Sequence, residues 1–267
     1  VPLWLTAKSQ EPKANRQHTI AAMIPLVAGA AAIGYAGYAS YSPRSQLYGR
    51  TYIGSGRGAR QLALTYDDGP NDPHTPHLLE VLARHNVKAT FFFIGRFVAE
   101  KPDIASEVAR AGHALGNHTF NHPNLIFCSA ARVRSELEQC RKILEDTVGA
   151  HSWLWRPPFG ARLPHVMSVA RKLGLEAVMW TVSSNDWKIY TADGIEQRVA
   201  ARVHGGDVIL MHDGGHVRMG ANRARTVEAT DRLIPRLKDQ GYEFVTVPEM
   251  MKLPQQHGVT ETTTQIG

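Results

Sequence analysis

From residue 61 onward, short apolar runs alternate with amphipathic stretches, and this alternation limits the possible folds more than any other feature of the chain. The apolar runs have the length of strands: LALTY (62–66), ATFFFIG (89–95), HALGNH (113–118), WLWRPPF (153–159), LEAVMWT (175–181), DVILMH (207–212) and YEFVTV (242–247). Stretches with helical periodicity lie between them, near 74–85, 97–111, 129–146, 164–173, 192–203 and 222–239. This pattern predicts an α/β fold of βα units with a parallel sheet or barrel.

The first sixty residues have a different character. Residues 20–41 form a stretch of twenty-two residues without a charge, which is long enough for a helix to span a bilayer of roughly 30 Å. Lys8, Lys13 and Arg16 precede this stretch, and that distribution predicts an inside N-terminus and an exported domain. The segment fits either an uncleaved signal anchor or a signal peptide cut near residues 37–39. A soluble extension is the third possibility.

We therefore expect four regions: a signal anchor or signal peptide (1–41), a linker (42–60), a main domain (61–253) and a polar tail (254–267). The net charge of +6 and the pI of about 9.4 favour contact with anionic surfaces, such as acidic cell-wall polymers or lipid headgroups. The plainer interpretation of this charge is a surface with an excess of solvated Arg side chains and no anionic partner. The chain has no Lys/Arg run with interleaved aromatic residues, so a nucleic-acid partner is not expected.

Polar clusters follow five of the seven strand candidates at the point where each strand ends. They are TYDDGP after 62–66, HTFNHP after 113–117, RPPFG after 153–155, NDW after 175–181 and HDGG after 207–211. In parallel α/β sheets and barrels, active sites assemble at the carboxyl ends of the strands. The clusters therefore predict one site that is built from several loops.

Two of these clusters contain residues that bind metals. His118 and His122 have the i, i+4 spacing that places two imidazoles on one face of a helical turn, as in many zinc sites. Asp67 and Asp68 are adjacent, so one carboxylate can bind a metal while the other faces a substrate. Two His and one Asp would leave a coordination position for water, as a catalytic zinc requires. Taken singly, the Asp pair also fits a turn, and the His pair also fits surface or core histidines.

Three further charged residues lie at neighbouring strand ends. His212 directly follows an apolar strand, where its imidazole could donate a proton near neutral pH. Asp186 and Arg156 would need partners if they are buried. A structural ion pair is therefore the alternative to a catalytic role for these two residues.

In their order and spacing, the five clusters resemble the motifs of the polysaccharide deacetylase (NodB-like) family, carbohydrate esterase family 4. TYDDGP resembles the first motif, HTFNHP the H-S/T-x-x-H-P motif, RPPFG the third motif, residues 185–187 the Asp-Trp motif and residues 210–212 the Leu-x-His motif. The resemblance covers roughly residues 60–250. The chain departs from the family pattern at Tyr66, where Phe is commoner, and at Thr181 and Ser183, where many members carry Asp.

The resemblance implies a distorted (β/α) barrel of seven strands and the removal of N-acetyl groups from glycans that contain N-acetylglucosamine, such as peptidoglycan, chitin-like oligomers or exopolysaccharide. It implies a divalent metal, Zn²⁺ or another ion such as Co²⁺, with Asp68, His118 and His122 as ligands. It also implies proton-transfer roles: Asp67 as the base that activates the attacking water, with Arg156 to orient it, and His212 as the acid that protonates the departing amine, with Asp186 as its partner. For the acetyl group, it implies Phe159 as a backbone donor to the oxyanion and Trp187 and Leu210 as walls of the pocket.

Other functions fit the same residues. A metal hydrolase of this type could instead cleave O-acetyl esters, as on acetylxylan, or a small cyclic amide. A glycan-binding module without catalysis could use the same groove. The sequence makes no prediction about the oligomeric state.

Overall fold

The computed structural model describes residues 13–149 and 151–252, with side chains from residue 23 onward. The chain divides into two units, residues 1–39 and residues 40–267. The expected polar tail at 254–267 lies outside the described residues.

The described part of the first unit is helical. Helix α1 (Lys13–Tyr41) includes Met23–Tyr41, a stretch of 19 residues with a mean hydropathy of 1.3. By length and composition this stretch could cross a membrane, and a signal sequence passes the same test. Large apolar side chains such as Leu26 and Ile33 are exposed along it. The helix could therefore be either the signal anchor or the signal peptide that the sequence predicts.

The second unit alternates strands and helices. Its elements are β1 (Gln61–Asp67), α2 (His74–Arg84), β2 (Thr90–Phe93), α3 (Gly95–Glu100), α4 (Pro102–Arg110), β3 (Ala114–Asn117), α5 (Ala130–Val148), β4 (Leu154–Trp155), α6 (Pro164–Lys172), β5 (Glu176–Ala177), β6 (Val182–Ser183), α7 (Ala192–Ala200), β7 (Val208–His212), α8 (Ala224–Asp239), β8 (Glu243–Phe244) and α9 (Val247–Met250). The strands pair in parallel in the order β5-β4-β3-β2-β1-β7-β6, and β8 pairs with β1. The sheet curls into a half-barrel, which confirms the predicted fold class.

Two elements differ from the sequence prediction for local reasons. The helix expected at 97–111 is two helices, because Pro102 disfavours a helical conformation at Lys101 and starts a new helix itself. The strand expected at 175–181 is reduced to the short strand β5, and β6 begins just after that range, at Val182. The carbonyls of Val178 and Met179 lie between these strands and accept hydrogen bonds from the guanidinium of Arg156.

Part of the segment that we expected to be a linker pairs with the sheet. Tyr52 forms an isolated parallel bridge with Val178, and Gly54 forms an antiparallel bridge with Asp207. Residues 52–54 thus contact both β5 and the start of β7. The backbone hydrogen bonds of these bridges, such as that from the Tyr52 N–H to the carbonyl of Ala177, satisfy backbone groups at the open side of the curl.

The alternation of side chains along β1 explains how the sheet presents the site. Leu62, Leu64 and Tyr66 belong to the large apolar cluster that the sheet shares with the helices. Ala63 belongs to a separate cluster, and Asp67 has the same parity along the strand. The strand therefore packs its apolar face against the helices and directs Asp67 to the other face.

We expect Leu64→Ala to lower the free energy of unfolding by about 2–5 kcal/mol, because the substitution leaves a cavity behind the central strand. Leu64 is fully buried, whereas Leu47 is 52% exposed and provides a matched control. Leu47→Ala should change the free energy by no more than about 0.5 kcal/mol. Chemical denaturation of the two variants measures the difference, and equal losses would contradict this description of the core.

Candidate functional site

Asp68, His118 and His122 lie together, and one side-chain ligand atom from each is within 4.8 Å of the others. Asp68 Oδ1 is 3.2 Å from His122 Nε2 and 3.5 Å from His118 Nε2. The segment that carries the two histidines is not the expected helical turn, since Thr119 and His122 have left-handed φ angles of 65° and 59°. A tight loop brings the imidazoles together instead. The three residues form a group that could hold a metal ion.

The hydrogen bonds of this group fit a metal. His118 Nδ1 lies 2.8 Å from the carbonyl oxygen of Arg156. A carbonyl can only accept, so Nδ1 carries a hydrogen, and the other ring nitrogen, Nε2, is the one that faces Asp68. Asp68 Oδ1 is buried and has no hydrogen-bond partner among the described residues. Two imidazole nitrogens and a carboxylate oxygen are a ligand set typical of catalytic zinc.

The charge states of the ligands also suit a cation. Burial, together with His118, lowers the pKa of His122 to about 3, so its imidazole is neutral at physiological pH. Burial by itself would raise the pKa of Asp68, but its contacts with His118 and His122 hold that pKa well below the usual range. His122 therefore presents a neutral imidazole and Asp68 an ionised carboxylate, the forms that bind metals.

Arg156 connects the first carboxylate of the pair to the sheet. Its Nη1 donates to Asp67 Oδ1 at 2.6 Å and to Thr65 Oγ1 at 2.9 Å. The guanidinium is fully buried and lies 4.1 Å from the centre of the Phe92 ring. Burial lowers the pKa of Arg156, and the negative charge of Asp67 opposes that effect. Asp67 is therefore held in one orientation by a charged hydrogen bond in a buried environment.

A second ion pair lies on the neighbouring strand. His212 Nδ1 is 2.8 Å from Asp186 Oδ1, while Asp186 Oδ2 accepts from the His212 backbone N–H at 2.8 Å and from Thr226 Oγ1 at 3.0 Å. Burial by itself would lower the pKa of His212, but Asp186 raises it, to about 9 overall. In the pairing of β1 with β7, His212 is opposite Asp67. The two side chains thus stand side by side at the ends of adjacent strands.

These groups line one cavity of about 350 Å³. Eight of the ten predicted site residues are in its wall, namely Asp67, Asp68, His118, His122, Phe159, Trp187, Leu210 and His212. Arg156 and Asp186 complete the predicted set from behind, through their bonds to Asp67 and His212. The structure therefore brings all ten residues to one place.

The backbone of the site adopts unusual conformations. Positive φ angles occur at five non-glycine residues of the motif loops: Asp68 (74°), Thr119 (65°), His122 (59°), Phe159 (59°) and Asn185 (55°). Such angles cost free energy and are concentrated at functional sites. The loops therefore direct these side chains at the expense of local stability.

Trp180, His216 and Arg223 also line the cavity, and the sequence motifs did not predict them. Trp180 lies inside a stretch that we expected to be a strand. His216 and Arg223 lie in the loop after β7, where no motif spacing marks them. The HDGG cluster at the start of that loop was the available signal, because residues near a strand-end motif are close to the site.

Comparisons with known proteins agree with this geometry. A family model described as polysaccharide deacetylase matches residues 55–178. A peptidoglycan-N-acetylglucosamine deacetylase of Bacillus cereus is 37% identical over 216 residues, which are 80% of this chain and 76% of that protein. A chitooligosaccharide deacetylase of Sinorhizobium fredii is 39% identical over 208 residues, or 76% of this chain and 97% of that protein.

A solved structure gives the same result for the fold. The crystal structure of the Bc1960 peptidoglycan N-acetylglucosamine deacetylase matches with a TM-score of 0.73 and 35% identity, over 78% of this chain and 95% of that chain. The resemblance of the five motifs is thus confirmed by similarity over most of the second unit. With its curled parallel sheet and its five strand-end clusters, the chain belongs to the polysaccharide deacetylase family.

Proposed function

We propose that the protein is a metal-dependent hydrolase that removes N-acetyl groups from glycans containing N-acetylglucosamine, such as peptidoglycan, chitin-like oligomers or exopolysaccharide. One observation carries the proposal: a single cavity of about 350 Å³ combines the Asp68 metal group with a carboxylate paired to Arg156 and an imidazole paired to Asp186. The names of the relatives support the substrate class, since they are deacetylases of peptidoglycan and of chitooligosaccharide.

Asp68, His118 and His122 would hold the metal, for which Zn²⁺ is our first choice and Co²⁺ an alternative. Their two nitrogens and one oxygen match zinc ligation and leave a coordination position open. Such an ion supplies electrophilic polarisation of a carbonyl and lowers the pKa of water to about 7. The remaining chemistry depends on side chains of the protein itself.

Asp67 is the proposed general base. Arg156 occupies Asp67 Oδ1, which leaves Oδ2 to accept a proton from the attacking water. Oδ2 is 3.8 Å from His118 Nε2, so the base lies beside the metal group. The hydrogen bond from Arg156 keeps the Asp67 carboxylate correctly oriented.

His212 is the proposed general acid. An amide nitrogen leaves only after it is protonated, so hydrolysis of an N-acetyl group requires a proton donor. Asp186 makes His212 such a donor, because it raises the pKa of His212 and keeps the imidazolium populated at neutral pH. This pairing favours an N-acetyl substrate over an O-acetyl ester, whose alkoxide leaving group depends less on prior protonation.

The walls of the cavity suit an acetyl group. Trp187 packs edge-on against His212 with ring centres 5.0 Å apart, and Leu210 is on the same strand as His212. These apolar side chains would surround the acetyl methyl. We assign the backbone N–H of Phe159 to the oxyanion of the tetrahedral intermediate, where a fixed donor contributes most.

We also propose that the catalytic unit is exported, with residues 20–41 as a membrane anchor or a cleaved signal. The apolar helix and the positive charges before it support export. Sequencing of the N-terminus of the exported protein distinguishes the anchor from the cleaved signal, and retention of all activity in the cytoplasm would contradict both.

The direct test is acetate release by the purified protein. We expect release from N-acetylglucosamine oligomers and from peptidoglycan, loss of release after chelation, and recovery when Zn²⁺ or Co²⁺ is added. Release from acetylxylan alone would identify an O-acetyl esterase and contradict the proposal. Binding of the oligomers without release in the presence of metal would identify a glycan-binding module.

Variants of the ligands test the metal group. We expect Asp68→Ala and His118→Ala to lose bound metal and acetate release together, because each removes a ligand from a set of three. Asp72→Ala is the matched control, since this exposed carboxylate lies close in sequence but pairs with Lys101. Metal analysis and the acetate assay provide the measurements, and full metal content in either ligand variant would refute the assignment.

The acid role of His212 predicts a pH effect for Asp186→Asn. Asp186 raises the pKa of His212, so its removal lowers that pKa and the acid loses its proton at a lower pH. The descending limb of kcat/KM should therefore move to lower pH by about 1–3 units. The pH profile of the variant provides the measurement, and an unmoved limb would contradict the role of the pair.

Two histidine variants complete this test. His212→Ala should keep its metal but lose turnover by about 10²–10⁴-fold, the usual contribution of a general acid. His204→Ala is the control, because His204 is an exposed imidazole that does not line the cavity. A wild-type rate in His212→Ala would exclude it as the acid.

A further inference from the structure

The two histidines of the metal group are fixed in different ways. The ring of His118 is oriented by the hydrogen bond of its Nδ1 to a backbone carbonyl. The Nδ1 of His122 is buried and has no hydrogen-bond partner within residues 13–149 and 151–252. Histidines that bind metals almost always use the second nitrogen for such a bond, which sets the direction of the ring. The His122 ring does, however, contact other rings of the described residues.

Ring contacts supply this orientation. His216 stacks on His122 with ring centres 4.8 Å apart and an angle of 25° between the rings. Phe159 meets His122 edge-on at 4.7 Å and 73°, and it also meets His216 at 5.2 Å and 81°. The three rings thus form a closed cluster in which each contacts both of the others. Offset-stacked and edge-on pairs at these distances are attractive.

The backbone that carries His216 is itself anchored. Arg96 Nη2 donates to the carbonyl oxygens of His216 at 2.5 Å and of Val217 at 3.1 Å. Arg223 Nε donates to the carbonyl oxygen of Gly214 at 2.6 Å. Two guanidinium groups therefore fix the loop after β7 at three carbonyls, which limits the movement of the His216 ring away from His122.

We infer that His216 is a positioning residue for the metal site, which holds the ligand His122 in its binding orientation by stacking on its ring. The inference rests on the metal group of the proposed function. His216 is not counted among the ligands, because the group found in the described part of the chain consists of Asp68, His118 and His122. Its contribution is to reduce the freedom that His122 would lose when a divalent ion binds.

The test is the affinity of the full protein for Zn²⁺, measured after chelation by competition with a chromophoric chelator and without any glycan. His216→Ala should weaken the affinity by about tenfold, the lower end of the effect of removing a partner from a metal-binding histidine. His216→Phe keeps a ring for stacking and should stay within about threefold of the wild type. Val217→Ala, an exposed neighbour on the same loop, should equal the wild type.

His216→Gln serves as a second variant, because it keeps a polar side chain of similar length without a ring. It should bind Zn²⁺ as weakly as His216→Ala, and it decides the question if His216→Ala fails to fold. The rise in unfolding temperature on adding Zn²⁺, measured for each variant against its own metal-free form, should be smaller for Ala and Gln than for the wild type.

Several outcomes would overturn the inference. Wild-type Zn²⁺ affinity in both His216→Ala and His216→Gln would remove the positioning role. An affinity in His216→Phe as low as in His216→Ala would show that a polar atom matters and that stacking does not. A different outcome separates the two proposals: if the wild type releases no acetate while Zn²⁺ affinity still depends on a ring at this position, the proposed activity is refuted and the positioning role stands.

Discussion

The site depends on one buried cation, the guanidinium of Arg156. A charge that is removed from water is costly unless it is paired and fully hydrogen-bonded. Arg156 meets this condition with the carboxylate of Asp67 and the carbonyls of Val178 and Met179. Its own carbonyl then accepts the hydrogen bond of His118. One residue therefore orients both the proposed base and a proposed metal ligand, so their relative position is set by a single rigid element. Removal of the guanidinium would leave a buried carboxylate without its partner.

Arg156 also binds the segment that leads from one end of the strand order to the other. Between β5 and β6, which are at opposite ends of that order, the carbonyls of Val178 and Met179 accept hydrogen bonds from Arg156. On the other side of β1, the register with β7 places His212 opposite Asp67. Asp186 there has the role that Arg156 has on the first side, that of a buried partner with the opposite charge. The acid and the base are thus held by two separate ion pairs, and each charge remains compensated when a substrate excludes water.

The sequence predicted the parts of the site that depend on strand ends. Each apolar strand is buried, so its last residue emerges at a fixed edge of the parallel sheet, and the polar residues there could be assigned to one site before their distances were known. The places of residues that depend on long-range contacts could not be predicted from the sequence. Trp180 follows Met179, whose carbonyl accepts a hydrogen bond from Arg156, and His216 lies in a loop that two arginines anchor. The spacing of His118 and His122 suggested a helical turn, but a left-handed backbone achieves the same proximity, a choice that side-chain spacing does not determine.

The partners of the site residues differ in how easily they can change. Hydrogen bonds and ion pairs to buried groups cannot be altered singly, since the remaining partner would be left unsatisfied. The contact of His216 with His122 has no such penalty, because a ring contact leaves no buried donor or acceptor behind when it is lost. This contact also comes from a loop, where sequence changes are tolerated better than in strands. Substitutions in the loop after β7 can therefore change how firmly the ring of His122 is oriented, while the ion pairs that hold the proposed acid and base stay unchanged.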